Sequence, residues 1–235
     1  MNYVPRRAMF GIVFLVSGVI LPATTRGLES ITAQVLIAWT SFNLLFVGFA
    51  FVMDWRGVFG KGASGRIGPR NRVVLTPYFL FQEAACYGQN LLWPTPTFSQ
   101  ILPDLYVGRL CELKHLPNDV SLVIDLTAEL ETPASIRCGL PIICLPTLDG
   151  GIPSEDQCQR AIEAFESPHD RIYICCANGH GRSVTLAAIV LGYKRCCLTA
   201  EQAFDFIKQA RPAATPNPDQ RRFAHRASAH SAVNR

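Results

Sequence analysis

Cys176 and Arg182 stand six positions apart, with Gly179 and Gly181 between them and Ser183 directly after. Residue types at this spacing suit one kind of chemistry. A short loop wrapped at the start of a helix can aim successive backbone N–H groups into one concavity, and the positive end of the helix dipole reinforces them. Such a nest takes a tetrahedral oxyanion. Arg182 can close it with a planar fork of donors. The same field favours thiolate over thiol, drawing a cysteine pKa from about 8.5 towards roughly 3.5–7.5 and making Cys176 a nucleophile near neutral pH. The loop between them is Ala177, Asn178, Gly179, His180 and Gly181.

The elements that must hold this loop are visible around it. Arg171–Cys175 reads as a strand delivering Cys176, and from Ser183 an Ala/Leu/Ile/Val run continues without Pro or Gly to Gly192. Val120–Leu126 and Pro141–Leu145 are short apolar runs bounded by turn residues, as buried strands require, and Ile101–Gly108 reads as an edge strand. Ser154 with Gln157, and Thr199 with Gln202, have capping-box spacing at the starts of two further helices, the second running through Ala210. Strands alternating with helices imply an α/β domain with a central, mostly parallel sheet flanked by helices and a site at the carboxyl ends of the strands.

The run Cys175-Cys176-Ala-Asn-Gly179-His-Gly181-Arg182-Ser183 resembles the signature loop of the cysteine-dependent protein tyrosine phosphatases, and of their dual-specificity branch in overall size. The resemblance covers about Ile101 to Phe223. Cys175 stands where that family usually has His. The resemblance implies the cysteine phosphatase fold and hydrolysis of phosphomonoesters through a phosphocysteine intermediate, with no metal and no cofactor. It also implies that Ser183 hydrogen-bonds the sulfur and helps it leave. The ester oxygen must be protonated as its bond to phosphorus breaks, so a carboxyl group has to reach it opposite the thiolate. Asp149, 27 residues before Cys176 on a loop with Gly150 and Gly151, is the first candidate for this acid and for the base of the second step. Glu155 and Asp156 are its rivals, although both suit the first turn of a helix. His180 is either a contact for further phosphates or an exposed loop side chain.

Composition adds a second theme. The 235 residues are 49% apolar and only 17% charged, which points to a part that sits in lipid. Ala8–Leu21 is an apolar run of 14 residues behind Arg6 and Arg7, and Ile31–Met53 has 23 residues without a charge. The second is long enough to cross a hydrocarbon layer of ~30 Å. Arg56, Lys61, Arg66, Arg70 and Arg72 follow it, so the positive-inside rule makes both flanks cytoplasmic. The expectation is a transmembrane hairpin over 1–53, in a multi-pass membrane protein with two spans and a cytoplasmic catalytic domain. A cleaved signal peptide is the other interpretation of the first run. Residues 54–98 read as a basic, Gly-rich linker and an aromatic segment, which lies on the membrane or covers the catalytic domain. Residues 99–223 read as that domain and 224–235 as a basic, disordered tail.

A net charge of +4 is too small to imply nucleic acid, and nine cysteines without C-x-x-C spacing suit a reducing compartment. The expected partners are the membrane and a phosphorylated protein or phospholipid substrate. Phosphotyrosine or phosphoserine/threonine proteins are what the resemblance implies first, and a phospholipid monoester is what the hairpin suggests. Two other classes fit less of the pattern: a catalytically silent phosphate-binding module, and a sulfur-transferring rhodanese, which lacks the arginine.

Overall fold

Among the residues described by the computed structural model (4–233 except 26, 93, 168–170, 195 and 198) five strands form one sheet. They are β1 (Phe98–Leu102), β2 (Leu105–Arg109), β3 (Leu122–Thr127), β4 (Ile142–Thr147) and β5 (Ile172–Cys176). The order β1-β2-β5-β3-β4 puts the strand carrying Cys176 in the centre. Only the β1–β2 pair is antiparallel, so the mostly parallel sheet expected from the alternation of elements is present. The single edge strand expected over Ile101–Gly108 is instead a hairpin, because Pro103 and Asp104 turn the chain back.

Alternation along β5 separates two cores. Ile172, Ile174 and Cys176 face the larger one, built with α7 (Arg182–Tyr193), α6 (Glu155–Glu166) and α8 (Ala200–Ala210). Tyr173 and Cys175 face the smaller one, with Tyr106, Val123 and Ile136, the last from the short helix α5 (Ala134–Gly139). The first ten residues of α7 are buried, which its unbroken apolar run anticipates. Both capping boxes form: Ser154 and Gln157 close the start of α6, and Thr199 and Gln202 that of α8.

Two segments differ from expectation. The tail does not lack structure: Pro218–Val233 is a helix, α9, whose Phe223 and Ala224 are buried against the larger core. Polar residues dominate its sequence, so apolar periodicity does not reveal it. Residues 54–72 are likewise packed rather than a free linker. Val58, Phe59 and Ile67 are buried, and a short helix, α3 (Pro69–Val74), follows. Lys61 enters the domain, its Nζ donating to Asp125 Oδ2 at 2.7 Å, Thr127 O at 2.9 Å and Thr127 Oγ1 at 2.8 Å. Both charged side chains of that pair are inaccessible to solvent, at 1% and 0% exposure.

Before this segment come α1 (Arg6–Ile20) and α2 (Ile31–Val52). Arg6–Thr25, which adds a 3-10 turn to α1, and Ile31–Val52 are each long and apolar enough to cross a membrane. The two lie so close that a Cβ on Gly11 would stand 2.7 Å from the Gly48 carbonyl oxygen, and small residues let helix backbones meet in this way. Outward, Met9, Val13, Val16, Val35, Phe42 and Phe49 are exposed. Inward, Val47, Ala50 and Phe51 pack on Phe59, Tyr78, Ala128 and Leu148, so the hairpin and the α/β domain share a core. Tyr78 belongs to α4 (Thr76–Leu92), which carries most of the expected aromatic segment; Trp93 of that segment lies outside the described residues.

Removing one partner of a buried ion pair costs about 3–5 kcal/mol. Lys61→Met is therefore expected to melt well below the parent when the full chain is heated in detergent, whereas the exposed Arg66→Met melts with it. Equal melting of both variants would show that Asp125 does not depend on this segment.

Candidate active site

β5 ends at Cys176, the chain turns through residues 177–181, and α7 begins at Arg182. Gly179 has φ +71°, and a Cβ there would lie 2.4 Å from the carbonyl carbon of Gly108. Only glycine fits both demands. The Gly179 N–H then donates to Cys176 Sγ at 3.3 Å, and Ser183 Oγ stands 3.4 Å from the same sulfur. The start of α7 directs its positive end at this buried atom. Cys176, Ser183, Arg182 and the loop residues Ala177, Asn178, Gly179, His180 and Gly181 are thus assembled by one strand–loop–helix unit.

Arg182 is 1% exposed, and its partners come from the neighbouring strands. Its Nη1 donates to Glu129 Oε2 at 2.9 Å and to Thr147 O at 2.7 Å, and its Nη2 donates to Glu129 Oε1 at 2.6 Å. Asp149 Oδ1 lies 3.3 Å from the same Nη2, on a carboxylate 48% exposed to solvent. Burial works against the charge of Arg182, but Glu129 and then Asp149 outweigh it and hold the guanidinium pKa well above its usual value. Glu129 is one of the site residues that sequence reasoning misses. Its one signal is position, in the loop after β3 at the carboxyl edge of the sheet. The rivals of Asp149 sit elsewhere: Glu155 and Asp156 occupy the first turn of α6.

A second arginine holds the loop from outside. Arg211, also 1% exposed, donates through Nε to Gly179 O at 2.7 Å and through Nη2 to Asn178 O at 3.2 Å. Two residues at the head of α9 hold the Asp149 loop. Asn217 Nδ2 donates to Gly150 O and Gln220 Nε2 to Gly151 O, at 2.9 and 2.8 Å. His180 is half-buried beside Thr95, and burial first, then the charges of Arg211 and Arg109, push its pKa below the usual histidine value. Cys175 faces the opposite side of the sheet from Cys176, and burial followed by the charge of Asp125 pushes its thiol well up. Among the described residues no His, Cys, Asp and Glu side chains gather as a metal site.

A cavity of about 220 Å³ opens over Cys176, Asp149, His180 and Arg182. Part of its wall comes from outside the α/β domain: Arg6 and Phe10 of α1 and Gln89 of α4. Gln89 Oε1 accepts from Asn178 Nδ2 at 2.9 Å.

This fold is that of the cysteine-dependent tyrosine and dual-specificity phosphatases. Solved structures that share it include PTPMT1 (18% identity, TM-score 0.50), which matches 58% of this chain and 97% of its own. Tk-PTP in its active form matches 59% of this chain and 98% of its own at 21% identity and a TM-score of 0.51. A variant of human DUSP28 matches 60% and 99% at 21% identity and a TM-score of 0.50. No family model and no curated protein matches the sequence.

Two outcomes follow from this geometry. Glu129→Gln keeps the shape and removes the counter-charge of Arg182, at a cost of about 3–5 kcal/mol. The variant is expected to melt below the parent and to recover more than the parent does on adding tungstate, whose negative charge replaces the carboxylate. A tungstate shift equal in the two proteins would mean that Glu129 does not set the charge at the site. His180 has its folded pKa below the unfolded one, so its contribution is present above about pH 6.5 and is lost as pH falls through the folded value. Between pH 7.5 and 5.5 the parent is expected to lose more thermal stability than His180→Gln.

Proposed function

We propose that this chain is a membrane-anchored phosphomonoester hydrolase that works through a phosphocysteine intermediate. One observation carries the proposal: Cys176, Arg182 and Asp149 line one cavity, with the Gly179 N–H donating to the Cys176 sulfur and the Asp149 carboxylate beside the Arg182 guanidinium. Glu129 occupies the Nη1–Nη2 edge of Arg182, which leaves the Nε–Nη2 edge to fork onto two phosphate oxygens. A bound phosphate takes the Nη2 donor now shared with Asp149 and frees that carboxyl group to turn to the ester oxygen. The Cys176 thiolate then attacks phosphorus in line, the P–O ester bond breaks, and the leaving oxygen takes its proton from Asp149. In the second step the Asp149 carboxylate accepts a proton from water as that water attacks phosphorus. The P–S bond breaks, inorganic phosphate leaves, and the Ser183 hydroxyl hydrogen-bonds the departing thiolate.

For the substrate, the cavity wall favours a phospholipid monoester over a phosphoprotein. Arg6 and Phe10 belong to α1, the first of the two spans of the proposed anchor, so on this proposal one wall of the cavity continues into a helix that faces lipid. PTPMT1 has been crystallised with PI(5)P, which supports a lipid headgroup in a pocket of this fold by analogy. The positive flanks of the hairpin support a site on the cytoplasmic side.

The test uses the full chain in lipid nanodiscs, with a small aryl phosphate, a phosphatidyl monoester and a phosphotyrosine peptide as substrates. Cys176→Ser is expected to abolish turnover of every substrate. Asp149→Ala is expected to lose roughly 10²- to 10⁴-fold and the fall in rate at higher pH, because the parent needs Asp149 protonated in the first step. Arg6→Ala is expected to lower kcat/KM on the lipid roughly ten- to a hundredfold, as a charge-assisted hydrogen bond would, and on the aryl phosphate by less. A parent that binds phosphate and turns over none of the three is a binding module, and one that prefers the peptide has a protein substrate.

A further inference from the structure

The turn between α3 and α4 meets α2 at an unexpected height. Val74 O, at the end of α3, accepts from Trp39 Nε1 at 2.9 Å and from Asn43 Nδ2 at 3.1 Å. Asn43 is fully buried in the middle of a helix that carries no charged residue. It lies nine residues before Val52, the end of α2, and Trp39 lies thirteen before it; at 1.5 Å per residue these are about 14 and 20 Å from that end. Were the hydrocarbon to stop short of this turn, only Ile31–Trp39 would remain inside it, about 13 Å of helix for a layer of ~30 Å. So if α2 spans the membrane, the α3–α4 turn is inside the membrane too.

The chemistry of the turn agrees. Hydrocarbon supplies no hydrogen bonds, so backbone groups there need partners within the protein. Thr76 Oγ1 shares its one proton between Arg72 O at 2.8 Å and Val73 O at 2.9 Å, and Val74 O accepts from Trp39 and Asn43, so side chains of the protein face all three last carbonyls of α3. The turn's own amides are used as well: Leu75 N–H donates to Asn71 O and Phe79 N–H to Leu75 O. From Val73 to Gln82 there is no charged residue. Val73 is 67% exposed, Leu80 61% and Phe81 52%, and Phe81 contacts Phe14 of α1, so this apolar surface continues that of the hairpin.

We propose that α3 and α4 form a re-entrant helical pair whose turn, Val73–Phe81, lies in the acyl-chain region of the bilayer beside α1 and α2. This rests on the anchor reading and adds a third membrane element to it. Arg72, below the turn, pairs with Glu131 of the α/β domain at 2.9 Å, which places a charge where the headgroups begin.

The full chain is reconstituted in vesicles whose phosphatidylcholine carries bromine either near the methyl ends or near the ester ends of the acyl chains. Val73→Trp and Leu80→Trp are compared with the parent, with Val16→Trp on α1 as a lipid reference and Gln159→Trp on exposed α6 as an aqueous one. The emission added at 73 and 80 is expected to be lost more strongly with bromine near the methyl ends, as for Val16→Trp, and Gln159→Trp is unaffected. If 73 and 80 respond only to bromine near the ester ends, or to neither, while Val16→Trp is quenched, the pair lies on the surface and the proposal is wrong. If Val16→Trp is not quenched either, the anchor reading itself has failed and the proposal falls with it. The unsubstituted chain gives an independent answer, since a carbene precursor dissolved in the bilayer should mark the peptide 73–82 as it marks α1.

Discussion

Everything at the carboxyl edge of the sheet is arranged around one buried positive charge. Arg182 has almost no contact with solvent, and a guanidinium in that position needs compensation from close by. Glu129 supplies most of it from the loop after β3, Thr147 adds a carbonyl at the end of β4, and Asp149 adds the exposed half. They come from two separate stretches of chain, so the loops after β3 and β4 are both drawn to the start of α7. Such a pair is weak evidence for stability as such, since desolvation offsets much of its attraction. What it provides is position: with one edge of the guanidinium fixed, the other has a defined direction over the sulfur.

The parts of the site that lie within one local motif were legible in the sequence. Cys176, Gly179, Arg182 and Ser183 fall in a single strand–loop–helix, where spacing alone fixes geometry, and Asp149, singled out by the resemblance to the family's acid loop, lies beside Arg182. Glu129, Arg211, Asn217 and Gln220 could not. Each is a polar residue that reads as solvated, and each becomes buried through partners distant in the chain: 53 residues for Glu129, and 67 and 69 for Asn217 and Gln220. The same reasoning applies to Lys61. A lysine among glycines looks like linker, and only the pocket formed by Asp125 and Thr127 makes it a core residue. Periodicity reports burial of apolar faces; it carries no information about buried charges that meet across the fold.

The α1–α2 hairpin is more than an attachment. Phe10 stands 3.0 Å from where a Cβ of Gly150 would be, next to Asp149, and Arg6 and Phe10 both border the cavity. The same end is held to α2 as well, with Arg7 donating to the last carbonyls of α2 and pairing with Asp54. The Asp149 loop is therefore held between α1 on one side and the Asn217–Gln220 pair on the other. On the proposed mechanism, any motion of Asp149 towards a leaving group has to be small and local, a side-chain turn rather than the swing of a free loop.

The absence of slack between helices and domain has a further consequence. Arg56 bonds Gln157, Lys61 bonds Asp125 and Arg72 bonds Glu131, so the segment that follows α2 is fastened to the α/β domain at three points. An enzyme on a flexible tether samples a hemisphere and reaches substrates at many distances from its anchor. A rigid mount works at one distance and one orientation. On the proposed anchoring, encounters are confined to a thin slab next to the bilayer, and turnover follows how densely the substrate populates that surface rather than its concentration in the surrounding solution.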